Sequence, residues 1–397
     1  MCGIAGYYGL NPIKQEKIES CLSLMKQRGP DFSSSSFKKT KNGMYCYFLH
    51  SRLAIIDLDK RSNQPFKLNG CILSYNGEIY NYLELKSELE QEGHSFKSKS
   101  DTEVLAKLLT YQGVSCLERC EGMYAFAWMD KKENLFLARD RFGEKPLFYF
   151  QDNNGSIFYA SEIKFIFALL GKKLPINYRH LKRYLVNGYK SLYKTKDTFF
   201  ENLLELKPGF FARISLKGKF EKKRYWLPKF REDNKISYEE VINQTRERLV
   251  SSVEKRLRAD VPIAFCLSGG IDSNALIGIA KKVLNYDVHG FSIINTDERY
   301  EELDMIDLAV KNLDLKHTKV SLEKNNFLKN LRVLINYHDA PIYTITYYAQ
   351  WLLMKVISQS GYKVSISGTG ADELFSGYYD HHNAYLAYTY KFKFLKN

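Results

Sequence analysis

A cysteine stands directly behind the initiator methionine, in Met1-Cys2-Gly3-Ile4-Ala5-Gly6. If Met1 is removed, as a small second residue permits, a thiol and a free α-amine share one residue. An amine titrating near about 8 can take the proton of a thiol titrating near about 8.5, giving a nucleophile with its own base. Taken alone, Cys2 reads equally well as an ordinary buried cysteine. Asn76-Gly77 follows an apolar run at 72–75. Asn-Gly is the strongest short hairpin-turn signal, and a turn is also where an amide side chain and a bare glycine N–H can converge on an oxyanion. Arg52 could clamp a carboxylate in a bidentate fork, or lie on the surface. Asp101 opens a helix, where a carboxylate stabilises the N-terminus or could hold a substrate ammonium.

A second group lies in the C-terminal half. Ser268-Gly269-Gly270-Ile271-Asp272-Ser273 follows an apolar run and precedes a helical pattern. Backbone N–H groups in such a turn, aided by the helix dipole, make an anion site. The Gly-Lys-Ser/Thr ending of a P-loop is absent, so that chemistry is excluded. The cluster Ser367-Gly368-Thr369-Gly370-Ala371-Asp372-Glu373 also follows a strand-like run. If its two acids, Asp372 and Glu373, face Asp272, they could share Mg²⁺ with a polyphosphate. The bland readings are a plain strand-turn-helix connection and a solvated turn.

The elements that must hold these residues fall into two rhythms. Short β-rich runs (45–49, 72–75, 135–138, 147–150, 157–160) fill the first half. One amphipathic helix interrupts them, opened by the capping-box pair Ser100 and Glu103 and carrying the apolar stripe Val104, Leu105, Leu108 and Leu109. A Pro-containing, charged stretch around 225–235 marks a boundary. Beyond it strands at 261–267, 288–294 and 363–367 alternate with helices at 238–256, 274–284, 303–313 and 343–360, which predicts a doubly wound parallel sheet.

Composition excludes several classes. The 397 residues are 45% hydrophobic and 26% charged, values of a folded chain of two or three domains. No apolar run reaches the roughly 18 residues of a membrane span. No basic region precedes the apolar N-terminus, so it is not read as a secretory signal, and the expected location is cytoplasmic. Seven irregularly spaced cysteines argue against a disulfide framework, and Cys116 and Cys120 read as buried thiols rather than zinc ligands. The net charge is +14 (59 − 45), but the basic residues are scattered and accompany no nucleic-acid motif, so no nucleic-acid partner is expected.

Six segments of the first 200 residues together resemble the glutaminase domain of N-terminal-nucleophile amidotransferases. They are Met1–Gly6, Arg28-Gly29-Pro30-Asp31, the run from Arg52 to Asp57, Ser74–Tyr80, the run from Ser100 to Leu105, and the run from Ala138 through Arg139-Asp140 to Leu147. The resemblance implies an αββα sandwich in which Cys2 attacks the glutamine amide and Asn76 with Gly77 forms the oxyanion hole. It implies that Arg52, Glu78 and Asp101 hold the amino-acid end, that Leu53, Ala54, Ile55 and Ile56 line the pocket, and that Arg28 lies in a loop closing over glutamine. The Ser-Gly-Gly-Ile-Asp-Ser turn resembles the pyrophosphate loop of ATP pyrophosphatases, and the whole is similar to the glutamine-hydrolysing asparagine synthetase family. That likeness implies ATP and Mg²⁺ as cofactors. Leu267, Ser268, Gly269, Gly270, Asp272, Ser273, Ile293, Ser367 and Gly368 would meet ATP, and Asp272 and Asp372 the metal. Ammonia would pass through an internal tunnel to an acyl-adenylate, made from aspartate in the family's namesake.

The expected organisation is a glutaminase domain at 1–205, a linker at 206–235 and a synthetase domain at 236–397. The chain departs from the family pattern twice. Thr369 stands where Ser-Gly-Glu-Gly usually places the Glu, which keeps a sugar-acid acceptor open beside aspartate. The basic segment that relatives carry beyond the second cluster is not found before Asn397, so the synthetase domain is expected to be incomplete. A glutaminase alone, half of a split enzyme with a complementing C-terminal polypeptide, a homodimer and a non-catalytic scaffold stay open as alternatives.

Overall fold

A computed structural model describes residues 1–216, 218–229, 235–294, 302–322 and 326–394. The chain forms two compact units, Met1–Ile236 with Asn330–Thr344, and Ser237–Lys329 with Ile345–Asn397.

The first unit is built on two six-stranded sheets. One contains β1 (Gly3–Gly9), β2 (Phe32–Lys39), β3 (Tyr45–Arg52), β8 (Phe148–Gln151), β9 (Ile157–Ala160) and β10 (Leu203–Glu205), in the order β10-β8-β9-β1-β3-β2. The other contains β4 (Phe66–Leu68), β5 (Cys71–Ile79), β6 (Gly122–Met129), β7 (Leu135–Arg139), β11 (Phe210–Ile214) and β12 (Phe220–Arg224), in the order β12-β11-β7-β6-β5-β4. Alternation along the strands sorts the side chains into three cores. Ile4, Tyr8 and Phe48 meet Ile72, Ala125 and Leu137 between the sheets. Ala5, Tyr7 and Leu49 pack outward on α1 (Gln15–Met25) and α4 (Ile163–Leu170). Leu73, Tyr75 and Phe126 pack outward on α2 (Tyr82–Gln91) and α3 (Asp101–Gln112). The layers therefore run helix, sheet, sheet, helix, with α5 (Tyr178–Asn187) following α4.

The stripe Val104, Leu105, Leu108 and Leu109 is buried, and Ser100 Oγ accepts the Glu103 N–H at 3.3 Å. The return arm of the capping box goes elsewhere: the Glu103 carboxylate takes the N–H groups of Lys97 and Ser98. The stretch 206–235, expected as a linker, contributes β11 and β12, because Ala212 and Ile214 are needed to complete the inter-sheet core. Its residues 230–234 lie outside those described. Cys116 and Cys120 are buried, as expected for apolar thiols.

The second unit is α/β. Four parallel strands, β13 (Ile263–Cys266), β14 (His289–Ile294), β15 (Lys316–Ser321) and β16 (Val364–Ile366), lie in the order β15-β14-β13-β16. Their helices are α6 (Tyr238–Arg256), α7 (Ile271–Gly278), α8 (Leu303–Leu313), α9 (Phe327–His338, counted with the first unit from Asn330), α10 (Ile345–Gln359), α11 (Ala371–Phe375) and α12 (Tyr379–Phe394). The strand after β13 lies on one side of it and β16 on the other. This reversal marks the carboxyl ends of β13 and β16 as the place where open α/β sheets take ligands. Among the described residues no helix is long and apolar enough to cross a membrane.

Candidate functional sites

Cys2 precedes β1 and is half-buried. Its sulfur receives the Leu53 N–H at 3.4 Å and lies 3.6 Å from the Leu53 carbonyl. Burial pushes the thiol pKa up, and the charges of Glu78 and Asp101 add to this, while hydrogen bonding to Leu53 opposes it. The Met1 α-amine is held down to about 5 by burial and by the positive charges of Arg28 and Lys145. The Cys2 thiol and the Met1 amine are therefore in a desolvated pocket with acids close by.

Asn76 and Gly77 do not form a turn. Both lie inside β5, paired with Ala125 and Tyr124 of β6. The glycine is there for close approach: a Cβ on Gly77 would come within 2.2 Å of the Met123 carbonyl and 2.6 Å of Tyr124 Cα. Packing density overrides the hairpin propensity of Asn-Gly. Tyr124 has its own N–H and carbonyl engaged by Asp140, which makes the Gly77–Tyr124 pair the non-hydrogen-bonded kind. The Gly77 N–H therefore points off the free edge of β5. On that edge the Tyr75 N–H meets Gln64 Oε1 at 2.7 Å and the Ile79 N–H meets Asp101 Oδ2 at 3.1 Å. Between them, Gly77 has no acceptor among the described residues. Asn76 is 1% exposed, and neither its Oδ1 nor its Nδ2 has a partner.

Asp101, the first residue of α3, accepts the Tyr75 hydroxyl at 2.7 Å as well as the Ile79 N–H. Burial raises its pKa against these bonds. Glu78, two residues beyond Asn76 and on the same face of β5, is pushed up to about 8 by burial and then by the negative charge of Asp101, with Lys145 opposing. Arg52 is buried at the end of β3. Its guanidinium is engaged by the carbonyls of Ile56, Asp57 and Asp59 and by Asn63 Oδ1. The fork read from the sequence as a carboxylate clamp thus shapes the loop that carries Leu53, Ala54, Ile55 and Ile56. Asp31 Oδ2 fixes the same loop through the Ala54 N–H at 2.7 Å.

Sequence reasoning passed over two buried groups here. Lys145 is 6% exposed, its amine 3.2 Å from Met1 Sδ and its pKa lowered by burial against the pull of Glu78. Its signal was the position of a lysine inside the Arg139–Pro146 motif. His50, fully buried, donates Nε2–H to the Tyr75 carbonyl at 3.1 Å and is held neutral, its pKa down to about 3 through burial.

In the second unit, Ser268, Gly269 and Gly270 connect β13 to α7. The helix begins at Ile271, three residues before the start expected from periodicity, so Asp272 and Ser273 occupy its first turn. Ser273 Oγ accepts the Ser268 N–H at 3.1 Å, and Ser268 Oγ accepts the Gly270 N–H at 3.2 Å. The Gly269 N–H is taken at 2.7 Å by Glu302, a residue the sequence did not single out. The second cluster follows β16. A Cβ on Gly368 would lie 3.0 Å from Asp272 Cβ and 3.1 Å from the Ser273 nitrogen, so the two loops abut. Leu267 is buried beside β14, its N–H on the Phe291 carbonyl at 2.9 Å, and Ile293 lies near the same ends of the strands. The Thr369 hydroxyl accepts from Ser367 at 3.2 Å. Among the described residues no group of three or more His, Cys, Asp or Glu gathers. Asp272, in the first turn of α7, and Asp372, in α11, are hard oxygen donors of the kind suited to Mg²⁺ when phosphate and water complete the shell.

Buried acids near the Cys2 thiol on one unit, and abutting glycine loops at a sheet reversal on the other, fit a two-domain amidotransferase. Family models agree: a glutamine amidotransferase domain matches residues 1–226 and an asparagine synthase domain matches residues 244–395. The chain belongs to the glutamine-hydrolysing asparagine synthetase family. It is 33% identical to a putative asparagine synthetase 2 of Methanocaldococcus jannaschii over 97% of this chain and 77% of that protein. It is 29% identical to asparagine synthetase 1 of Bacillus subtilis and to amidase chry2 of Gibberella zeae. Each match covers 95% of this chain and 59% of the relative's length.

Proposed function

We propose that the first unit is an N-terminal-nucleophile glutaminase and the second an ATP-pyrophosphatase-type synthetase that receives its ammonia. The observation that carries the reading is the pair of unoccupied donors on β5. Asn76 Nδ2 and the Gly77 N–H are held without partners in a buried strand, next to Glu78, whose charge acts on Cys2, and they would stabilise a tetrahedral oxyanion. With Met1 removed, the α-amine of Cys2 takes the thiol proton and the thiolate attacks the glutamine amide carbon. The C–N bond breaks, ammonia departs with the proton returned by the amine, and water then cleaves the thioester to glutamate. Glu78 and Asp101 receive the substrate ammonium. Arg52 meets its carboxylate by exchanging part of its bonds to the 56–63 loop, and Leu53 to Ile56 wall the pocket.

In the second unit the Ser268–Ser273 turn holds the pyrophosphate part of ATP, the Gly269 N–H exchanging Glu302 for phosphate. Leu267, Ile293, Ser367 and Gly368 hold the rest of the nucleotide. Mg²⁺, held by Asp272 and Asp372, would offset phosphate charge. The residues orient a carboxylate acceptor for adenylation and exclude water from the activated acid. Aspartate is the first acceptor by family. Thr369, a neutral hydroxyl at the usual carboxylate position, favours as second reading an acceptor such as a sugar acid.

Glutamine hydrolysis that disappears in Cys2→Ala, with folding unchanged, tests the first half. Aspartate-dependent release of pyrophosphate from ATP tests the second, and its absence with every carboxylate tried would sink the synthetase reading for this chain.

A further inference from the structure

We propose that Glu162 is a positioning residue for the Cys2 nucleophile, acting through Arg28; the inference rests on the glutaminase reading above. Cys2 is anchored on one side by β1, which starts at the next residue. On its other side Cys2 lies outside any strand or helix. The orientation of residue 2 thus depends on what grips its own backbone. Arg28 does so: its Nε–H donates to the Cys2 carbonyl at 2.9 Å. The arginine stem packs 3.6 Å from the place a Cβ on Gly3 would take, so the contact is close on both residues.

Arg28 follows α1 in a turn, and its long side chain needs a second hold to keep Nε aimed. Glu162, at the start of α4, supplies it, Oε1 meeting Arg28 Nη1 at 2.9 Å. The two side chains are 10% and 19% exposed, so the pair is shielded more than a surface bridge. The other carboxylate oxygen of Glu162 accepts Lys164 Nζ at 2.7 Å. That amine in turn reaches Asp339 Oδ2 at 3.3 Å, within the same unit. Charges alternate along Arg28, Glu162, Lys164 and Asp339. Removing Glu162 would leave two cations side by side and release the guanidinium.

Neighbouring bonds show what is held. Ser161 Oγ accepts the Ile4 N–H at 3.1 Å, and the Ser161 N–H returns to the Ile4 carbonyl at 2.9 Å, so the segment carrying Glu162 is locked onto β1. Arg28 extends that lock by two residues to Cys2. The consequence for the thiol is its seat at the Leu53 N–H, which favours the thiolate.

The test uses the full chain with Met1 processing confirmed by mass. Glu162→Gln should lower kcat for glutamine hydrolysis roughly 10- to 100-fold with KM unchanged, the scale of a small misplacement of a reacting group. Unpairing the shielded bridge should lower its thermal midpoint, so rates are compared at a temperature where both proteins are fully folded. In an Arg28→Met background Glu162→Gln should have no further effect, because one residue acts through the other. Glu162→Asp, which keeps the charge, should recover part of the rate and serves if the Gln variant fails to fold. Iodoacetamide labelling of Cys2, read by peptide mass, should show the thiol titrating at higher pH in Glu162→Gln. Additive effects of the two substitutions, or wild-type labelling together with wild-type kcat, would overturn the proposal. Labelling that follows the expected pattern in a protein that hydrolyses no glutamine would leave the positioning role standing and refute the glutaminase reading instead.

Discussion

Replacing Asn76 with Leu, close to it in shape, should move stability and activity in opposite directions. The amide is 1% exposed and neither polar atom has a partner within the protein, so the fold itself offers no compensation for its burial. Leaving a buried polar group unsatisfied costs about 1–3 kcal/mol, and a leucine in the same space removes that cost. The first unit should gain that amount, about 2–4 °C of melting temperature per kcal/mol for a domain of this size. The same change deletes one of two oxyanion donors, worth roughly 10²–10³ in kcat, with little effect on KM. The assays are chemical unfolding followed by tryptophan fluorescence, and glutamate release under saturating glutamine. A destabilised Asn76→Leu protein would mean that the amide is satisfied in solution and that the energetic argument is wrong. A stabilised protein with full activity would mean that the amide is no oxyanion donor.

Gly77→Ala should both destabilise and inactivate, because its Cβ would meet backbone atoms 2.2 and 2.6 Å away that belong to a neighbouring strand; overpacking of this kind costs about 1–3 kcal/mol, measurable by urea unfolding. Glu78 gives a pH signature. Its pKa rises from 4.5 unfolded to about 8 folded, so the fold binds a proton that the unfolded chain has released. The stability tied to this group is present below about pH 4.5 and lost as pH rises through 8. Glu78→Gln should flatten that part of the stability–pH curve, and a parallel curve would refute the assignment. Gly368→Ala should push the second loop off Asp272 and Ser273, 3.0–3.1 Å away, and weaken ATP binding by calorimetry while leaving glutamine hydrolysis intact.

Legibility in the sequence followed locality. Helices α6 and α8 have the bounds that periodicity predicts, and Ser237 caps α6 by accepting the Glu240 N–H at 3.2 Å. β15, Lys-His-Thr-Lys-Val-Ser, was invisible because an edge strand with a single apolar residue, Val320, carries almost no apolar pattern. Asn76-Gly77 reads as a turn and is strand. What keeps it extended is the carbonyl of Met123, 46 positions away, and no local rule sees that. The linker was misjudged for a similar reason: β11 pairs with β7, some 75 residues earlier. Lys145 and Glu162 were hidden differently. A charged residue reads as surface until the fold closes around it: Lys145 comes to lie against Met1, and Glu162 against Arg28, both far away in sequence.

That the Asn76 amide and the Gly77 N–H belong to an uninterrupted strand in the middle of a sandwich bears on how this unit should wear out under heat. Sites carried on loops are commonly lost while most of a fold is still intact, since loops open at small free energy. A strand paired along its length opens only when the sheet does. Thermal inactivation of glutamine hydrolysis should therefore track the cooperative melting of the first unit rather than precede it, and brief heating below that transition should leave an enzyme that resumes its full rate on cooling.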